Sequence, residues 1–255
     1  MCLALVALNA APELPFLMIG NRDEFHARPT AAADWWADQP GLLAGRDLTA
    51  GGTWYGLTRH GRFGLITNFR EKADGVAHRS RGALLADFLA GTEPAKTYAN
   101  NIDGDAYAGF NLLIGGAPDD AFYVSNRSDD PVRPLSPGIH AVSNALLDTP
   151  WPKLLHVRGA VADWLASGAA EPEQLFGPLR DSTQANEGDT PELDLPPGWH
   201  RALTAPFIIG EDYGTRSTSL AWVRPDGRAR YVERRYRPDG NVSGQTRETF
   251  SLEAA

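Results

Sequence analysis

The 255-residue chain contains very little sulfur, with one cysteine, Cys2, and two methionines. A lone cysteine cannot form a disulfide within the chain, so the composition gives no sign of an oxidising compartment. No apolar run approaches the roughly 20 residues that span a bilayer. The amino terminus also lacks the basic and apolar segments of a secretory signal. We therefore expect a cytoplasmic protein with no membrane span.

Basic residues are fewer than acidic ones. The chain has 24 Lys and Arg residues and 32 Asp and Glu residues, so its formal net charge is −8. This balance argues against nucleic acid as a partner. The sequence lacks a Walker phosphate loop, a dinucleotide fingerprint, a His-Glu-x-x-His pair, a cysteine-based metal spacing and a Gly-x-Ser-x-Gly elbow. We therefore predict no cofactor and no metal site, and a small-molecule substrate or a hydrophobic ligand as the binding partner.

Apolar periodicity predicts strands, then helices, then strands again. Runs over Leu3–Leu8 and Leu14–Ile19 form one predicted hairpin, and Thr53–Thr58 with Arg62–Asn68 form a second. The other predicted strands are Gly109–Ile114, Ala121–Ser125, Ile139–Ser143, Pro206–Ile209, Ser217–Val223 and Ala229–Tyr236. The predicted helices are Ala83–Leu89, Pro94–Asn100, Pro152–Ala166 and Glu171–Leu179.

This order of elements predicts an α+β fold in which antiparallel sheets pack together and helices cover them from outside. Residues 1–255 are expected to form one domain. A stretch near 181–198 is rich in Asp, Glu, Pro and Gly and predicts a polar surface loop.

Cys2 directly follows the initiator methionine, and a small second residue allows methionine aminopeptidase to remove Met1. The chain then begins with a thiol beside a free α-amine, whose ordinary pKa values are roughly 8.5 and 7.7–8.0. Such an amine can act as the base for its own nucleophile in acyl transfer. The alternative is that Cys2 is a small apolar residue at the start of a strand. Position alone weighs the two interpretations about equally.

Polar residues close the second predicted strand, in the run Gly20-Asn21-Arg22-Asp23-Glu24. Strand alternation predicts Asn21 and Asp23 on one face and Arg22 on the other. A solvated hairpin end with a surface ion pair is one interpretation. Because strand termini often carry sites, we favour a functional one, in which the Arg22 fork holds a substrate carboxylate or orients the nucleophile.

Three further polar residues follow or begin predicted strands. Asn68 and Asn144 can donate to an oxyanion as neutral amides, although asparagine at a strand end is also ordinary turn chemistry. Arg216, in the run Tyr213-Gly214-Thr215-Arg216-Ser217-Thr218, supplies a fixed positive charge.

Together these motifs resemble the NRDE family, which includes the transport and Golgi organisation protein 2 group. The motifs, which occur in order along nearly the whole chain, are Met1-Cys2-Leu3, Gly20-Asn21-Arg22-Asp23-Glu24, Gly51-Gly52-Thr53-Trp54, Thr67-Asn68-Phe69-Arg70, Val142-Ser143-Asn144 and Tyr213-Gly214-Thr215-Arg216-Ser217-Thr218. The resemblance implies the four-layer αββα sandwich of the N-terminal nucleophile hydrolases, whose cysteine branch cleaves linear amides.

The resemblance also implies roles for the same residues. Cys2 is then the nucleophile after Met1 removal, and Arg22 and Asp23 flank it. Asn144 forms the oxyanion hole, with Asn68 as a possible second contact. Adjacent strand residues point to opposite faces, so Arg22 and Asp23 both reach Cys2 only across a bulge, and Asn21 with Asp23 is the alternative inward pair. Arg216 corresponds to a late arginine near the nucleophile.

Two functions are compatible with these features. The first is an amidohydrolase that cleaves a linear carbon–nitrogen bond through an acyl-enzyme on Cys2. The second is a non-enzymatic carrier or chaperone for a hydrophobic molecule such as haem or an acyl-coenzyme A. The carrier hypothesis depends on the aromatic residues, which are more often core residues. They are Trp35, Trp36, Trp54, Tyr55, Trp151 and Trp164.

Overall fold

A computed structural model describes residues 2–71, 78–168, 171–186 and 199–253 of the chain, with the backbone alone at positions 2, 199 and 200. Its strands are β1 (Cys2–Ala11), β2 (Leu14–Phe25), β3 (Thr30–Trp36), β4 (Gln39–Asp47), β5 (Tyr55–Thr58), β6 (Phe63–Asn68), β7 (Phe110–Ala117), β8 (Asp120–Ser125), β9 (Val132–Pro134), β10 (Gly138–Val142), β11 (Tyr213–Val223), β12 (Arg228–Tyr236) and β13 (Val242–Ser251). Its helices are α1 (Arg81–Ala90), α2 (Ala95–Asn100), α3 (Pro152–Ala166), α4 (Phe176–Leu179) and α5 (Trp199–Ala202), with 3-10 turns at Gly104–Ala106 and Pro172–Leu175.

The strands form two antiparallel sheets. The first sheet has six strands in the order β10-β1-β2-β11-β12-β13, and the second has seven in the order β3-β4-β5-β6-β7-β8-β9. The hairpin of β1 and β2 is inserted between β10 and β11, so the start of the chain lies in the middle of the first sheet. The backbone of β1 is paired on both sides from Ala4 onward, and Cys2 pairs with Arg22 of β2.

Three apolar clusters separate four layers. One lies between the sheets and contains Val6, Met18 and Leu113. A second packs α3 and α4 against the outer face of the first sheet, and a third packs α1 and α2 against the outer face of the second sheet. The αββα sandwich predicted from the sequence is therefore confirmed.

Strand β1 shows why its sequence is continuously apolar. Its even positions, such as Ala4 and Val6, face the space between the sheets. Its odd positions, such as Leu3 and Leu5, face α3. A strand buried on both faces has no polar side, so its sequence does not alternate between apolar and polar residues. Strand β13 is the opposite case, an edge strand whose positions alternate between exposed and partly buried.

Most elements predicted from the sequence are confirmed within a few residues. The predicted hairpins correspond to β1–β2 and β5–β6, and helix α3 begins and ends where its periodicity placed it. Helix Glu171–Leu179 was wrong as a continuous helix, because a 3-10 turn precedes the single turn of α4. Within the described ranges, no helix is long and apolar enough to cross a membrane.

The strand predicted over Pro206–Ile209 is wrong. This segment is irregular, and its polar backbone groups bind neighbours individually instead of joining a ladder. The Phe207 amide donates to the Asp181 carbonyl at 2.9 Å, and the Ile208 amide donates to the Thr215 hydroxyl at 2.9 Å. The sequence analysis also missed β3, β4, β9 and β13. Of the predicted surface loop, residues 187–198 lie outside the described residues.

Glycines 52 and 82 allow the loop before β5 to touch the start of α1. A Cβ at position 52 would lie 2.2 Å from the carbonyl carbon of Gly82. The Thr53 amide donates to the Gly82 carbonyl at 3.1 Å, which fixes this approach. The backbone contact forms one wall of the cleft described below.

Replacing Gly52 with alanine should therefore force two backbone segments apart. We expect Gly52→Ala to lower the free energy of unfolding by about 1–3 kcal/mol, the usual cost of overpacking. Gly41→Ala is the matched control, because a Cβ there meets nothing within 4 Å, and it should change stability by less than about 0.5 kcal/mol. Equal urea midpoints for the two variants would contradict the close approach.

Candidate active site

The start of β1 lies beside the polar end of β2. The backbone of Cys2 pairs with Arg22, and Leu3 pairs with Asn21. The side chain of Cys2 lies outside the described residues, so its role as nucleophile stays a prediction.

Arg22 lies between the two sheets and is only 5% exposed. Its guanidinium stacks over the Trp54 ring of the second sheet, 4.3 Å from the ring centroid. Its Nη2 also lies 3.8 Å from Glu24 and 3.9 Å from Asp47. Gly45 makes room for the indole, because a Cβ there would lie 2.5 Å from it. The buried cation is thus held by an aromatic face and two carboxylates.

Asp23, the next residue, lies on the opposite face of β2. Its Oδ1 accepts a 2.6 Å hydrogen bond from the Thr215 hydroxyl. Burial raises the pKa of the Asp23 carboxyl, and the amino-terminal charge, Lys153, the Thr215 hydrogen bond and Arg22 act in the lowering direction. A bulge does lie beside Asp23, but it is in β11, where the register shifts between Thr215 and Ser217.

Asn21 shares the face of Asp23. Its amide donates at 2.8 Å to the carbonyls of Leu179 and Pro206, and its Oδ1 accepts from the Thr218 hydroxyl at 2.6 Å. Thr218 lies in β11, Leu179 ends α4, and Pro206 belongs to the irregular segment that precedes β11. Asn21 therefore ties the first sheet to the outer layer, whereas Arg22 faces the second sheet.

Arg216 is the residue that the bulge in β11 leaves without a register partner. Its Nη1 donates to the carbonyls of Phe25 at 3.0 Å and Arg28 at 2.7 Å. Burial lowers the pKa of its guanidinium, and Glu24 opposes this shift. Arg216 thus fixes the turn that follows β2, and Arg28 in that turn binds Asp47 at 2.7 Å.

Asn144 and Asn68 come together where β10 and β6 end. The Asn144 amide donates to the Asn68 carbonyl at 3.0 Å, and its Oδ1 accepts from the Ser143 hydroxyl at 2.9 Å. The Arg70 backbone amide donates to the Asn144 carbonyl at 2.8 Å. Asn144 is buried, whereas Asn68 is exposed at the cleft.

A buried network that the sequence analysis missed supports this junction. The Thr67 hydroxyl donates to the Ser143 carbonyl at 2.7 Å, and the Asn111 amide donates to the Ala145 carbonyl at 2.9 Å. The Tyr123 hydroxyl donates to Asn111 at 2.6 Å. An asparagine inside the apolar strand β7 was the available signal, because a fully buried amide needs partners.

A cleft of about 420 Å³ lies between the ends of the two sheets and the start of α1, and Asn21, Asn144 and Arg216 are not among its lining residues. Arg22, Asp23, Glu24, Trp54 and Asn68 all line it. Its remaining lining residues are Arg28, Asp47, Ala50, Thr53, Ile66, His78, Arg79, Ser80, Arg81, Gly82 and Ala108. In the described part of the chain, no group of three or more His, Cys, Asp or Glu residues could hold a metal ion.

The fold is similar to that of solved structures at low sequence identity. The C2A mutant of conjugated bile acid hydrolase from Clostridium perfringens aligns with a TM-score of 0.55 at 11% identity, covering 99% of this chain and 97% of that chain. Another variant of that enzyme aligns with a TM-score of 0.57 at 11% identity over 100% and 98% of the two chains. The protein therefore has an N-terminal nucleophile hydrolase fold.

The chain belongs to the Transport and Golgi organisation 2 family, whose model matches residues 1–238. The Bos taurus homologue is 30% identical over 236 residues, covering 86% of this chain and 85% of that protein. The Mus musculus homologue is 29% identical over 235 residues with the same coverage, and the Drosophila melanogaster protein is 25% identical over 259 residues, covering 91% of each. The family resemblance drawn from the sequence motifs is confirmed.

A contact between a histidine and an aspartate, His140 and Asp148, connects β10 to the loop that contains Asn144. His140 Nδ1 lies 3.3 Å from Asp148 Oδ2, and the Ala141 amide donates to Asp148 Oδ1 at 2.9 Å. The hydrogen bond to Asp148 raises the pKa of His140 above 6.5, and burial opposes this shift. A histidine with a raised pKa stabilises the fold fully below its unfolded pKa, and this contribution is lost as the pH rises through the folded value.

We therefore expect the stability advantage of the wild type over His140→Asn to decrease as the pH rises above 6.5. Urea unfolding at several pH values measures this difference. His60→Asn is the control, because the His60 side chain is 51% exposed, and it should lower the urea midpoint little. A constant difference for His140→Asn would show that the imidazole charge has no role.

Proposed function

We propose that the protein is an N-terminal-cysteine hydrolase that cleaves a linear amide bond through an acyl-enzyme on Cys2. The observation that carries the proposal is the backbone register, which pairs Cys2 with the buried Arg22 at the cleft. Residues directly opposite in an antiparallel pair share a face, and Arg22 lines the cleft.

The register on the other side of β1 supports Asn144 as the oxyanion donor. Strand β1 pairs with β10 through Ala4 and Val142. In an antiparallel pair one residue number falls as the other rises, so continuing this register by two residues places position 2 opposite position 144. The alternation of side chains along β1 supports the same arrangement. Position 2 lies on the strand face of Ala4 and Val6, which point into the space between the sheets.

The proposed reaction begins once Met1 has been removed. The α-amine of Cys2 takes the thiol proton, and the thiolate adds to the substrate carbonyl carbon. The carbon–nitrogen bond then breaks, and the leaving amine receives the proton from the α-ammonium. Water, deprotonated by the same amine, adds to the thioester, which releases the carboxylic acid and restores the thiol.

Asn144 is suited to stabilise the negative oxygen formed in both additions. A side-chain amide has two N–H groups, and the described contact to the Asn68 carbonyl uses one. The remaining N–H is available to an oxyanion, and Asn68 supplies a second amide at the cleft.

Intact mass measurement after treatment with a panel of activated acyl probes tests the nucleophile. We expect loss of Met1 and a single acyl adduct, absent in Cys2→Ala. Cys2 is the only cysteine of the chain, so a thioester adduct, recognised by hydroxylamine cleavage, identifies it directly. Retention of Met1 on protein from its own host, or identical labelling of Cys2→Ala, would contradict the mechanism.

Asn144→Ala tests the oxyanion hole. We expect the deacylation and acylation rates to fall by about 10²–10³-fold, the usual effect of losing one such donor. Asn101→Ala is the control, because its exposed amide donates only to Glu93 among the described residues. Equal rates for the two variants, with both folded by circular dichroism, would remove Asn144 from the mechanism.

The carrier hypothesis depended on aromatic residues, and the hydrophobic clusters account for them. Tyr55 lies in the cluster between the sheets, and Trp36 lies in the cluster that contains α1. Trp151, which precedes α3, and Trp164, within α3, pack against the first sheet. Trp35 and Trp54 pack against these clusters, and Trp54 also lines the cleft. Saturable haem binding that persists in Cys2→Ala, without any acyl adduct in the wild type, would favour the carrier.

A further inference from the structure

A second polar region lies on the inner face of the first sheet, the face that meets the second sheet. Ser219 of β11 pairs with Gly20 of β2 on one side and with Glu233 of β12 on the other. Ser219 lies two residues before Ala221, which belongs to the cluster between the sheets, so its side chain also points between the sheets. Ser219 is 2% exposed and Glu233 is 1% exposed. Because directly opposite residues share a face, a hydroxyl and a carboxyl lie side by side inside the sandwich.

The Glu233 carboxyl uses only one of its two oxygens for contacts with the described protein. Its Oε1 accepts from the Ala33 amide at 3.0 Å and from Arg235 Nη1 at 3.1 Å. The Ala33 amide belongs to the second sheet and lies at a bulge, where the register of β3 shifts between Ala31 and Asp34. Among the described residues, Glu233 Oε2 has no hydrogen-bond partner. A buried oxygen without a partner is costly, so nearly all such atoms in native proteins bind either protein or ordered water.

Three buried hydroxyls on the same face resemble Glu233 Oε2 in this respect. Within the described part of the chain, Ser217 Oγ, Ser219 Oγ and Tyr231 Oη make no hydrogen bond of ordinary geometry. Burial and the Glu233 charge raise the pKa of Tyr231, and Ser219 opposes this shift, so the hydroxyls of Ser219 and Tyr231 lie close together. A polar molecule bound among these oxygens would explain them together.

A small cavity lies beside Ser219. Its volume is about 10 Å³, and its lining includes Leu3, Ala4, Gly20, Tyr55 and Ser219. Ala4 and Gly20 are paired neighbours of β1 and β2, and their small side chains leave this room on the inner face of the sheet. A cavity of roughly 10–15 Å³ holds one water molecule, which then needs about two to four polar partners. The size of the cavity therefore excludes any larger ligand.

We propose that this cavity is a binding site for one internal water molecule, which bridges the Ser219 hydroxyl and Glu233 Oε2. A water that makes two hydrogen bonds of about 2.8 Å joins oxygens up to about 5.5 Å apart, a span that suits directly opposite residues of an antiparallel pair. Leu3 and Ala4 line the same cavity and directly follow the candidate nucleophile. The start of β1 thus packs against a hydrated polar region of the core. This inference does not depend on the proposed hydrolysis.

A high-resolution crystal structure of the full chain tests the site directly. We expect an electron-density peak for water within about 3.2 Å of both Ser219 Oγ and Glu233 Oε2. Clear density for both side chains with no peak between them would overturn the proposal.

Magnetic relaxation dispersion of the water oxygen counts long-lived internal waters in solution. The larger side chain of Ser219→Val fills the cavity, so we expect this variant to lose one such water relative to the wild type. Ser125→Ala is the control, because the buried Ser125 hydroxyl donates to the Phe110 carbonyl at 2.9 Å, and it should keep every long-lived water. An unchanged dispersion in Ser219→Val would overturn the proposal.

Urea unfolding of Ser219→Ala adds a test that depends on sign. Removing a hydroxyl that binds water lowers stability, whereas removing a buried hydroxyl that binds nothing raises it. We expect a lower midpoint than that of the wild type, as for Ser125→Ala, and a higher midpoint would overturn the proposal. A lower midpoint with every long-lived water retained in Ser219→Val would assign the hydroxyl to Tyr231 alone and would also overturn it. If Ser219→Val does not fold, the crystal structure of the wild type decides.

Discussion

The burial of Arg22 between two β-sheets is the constraint on which the candidate site depends. A guanidinium taken out of water requires compensation from its surroundings. Trp54 gives an aromatic face, and Glu24 and Asp47 give negative charge from both sheets. These partners come from separate parts of the chain, so the cation can be satisfied only after the sheets have packed. Arg22 therefore couples the closure of the sandwich to the formation of the cleft.

The same strand has a second polar face, and its function is different. Asn21 and Asp23 bind β11 and the segment 203–208, which connects them to the helical layer. Each buried polar group there has a specific partner, which fixes the height and direction of β2. The strand that presents Arg22 to the cleft is thus also held by hydrogen bonds on its other face. This arrangement is what a preorganised site requires.

Glycine contributes to the site by allowing close approach. Gly45 admits the Trp54 indole, and Gly52 admits the backbone of Gly82. In both cases a methyl group would occupy space already filled by another residue. Gly52 of the Gly51-Gly52-Thr53-Trp54 motif therefore has a packing explanation, whereas Thr53 and Trp54 line the cleft.

Much of the fold could be predicted from the sequence because local patterns encode it. The continuous apolar run of β1 and the helical spacing of α3 come from burial of both strand faces and of one helix face. The edge strand β13 was missed because its partly buried positions mostly carry glycine or polar residues, so its alternation of burial leaves no apolar pattern in the sequence. Segment 206–209 was misassigned because its apolar sequence is the same whether the backbone pairs with a strand or binds individual partners.

The sequence by itself determined the αββα class, the family and the polar strand ends, since these depend on residue type and order. The alternation of a strand shows that Arg22 points to the opposite face from Asn21 and Asp23. It does not show which of the two faces meets the second sheet. Only the tertiary structure turned Arg22 towards Trp54 and Asp23 towards Thr215. It also buried Lys153 in the first turn of α3, where its Nζ donates to the Leu203 carbonyl. Such contacts between distant parts of the chain arise from packing, and no local sequence pattern records them.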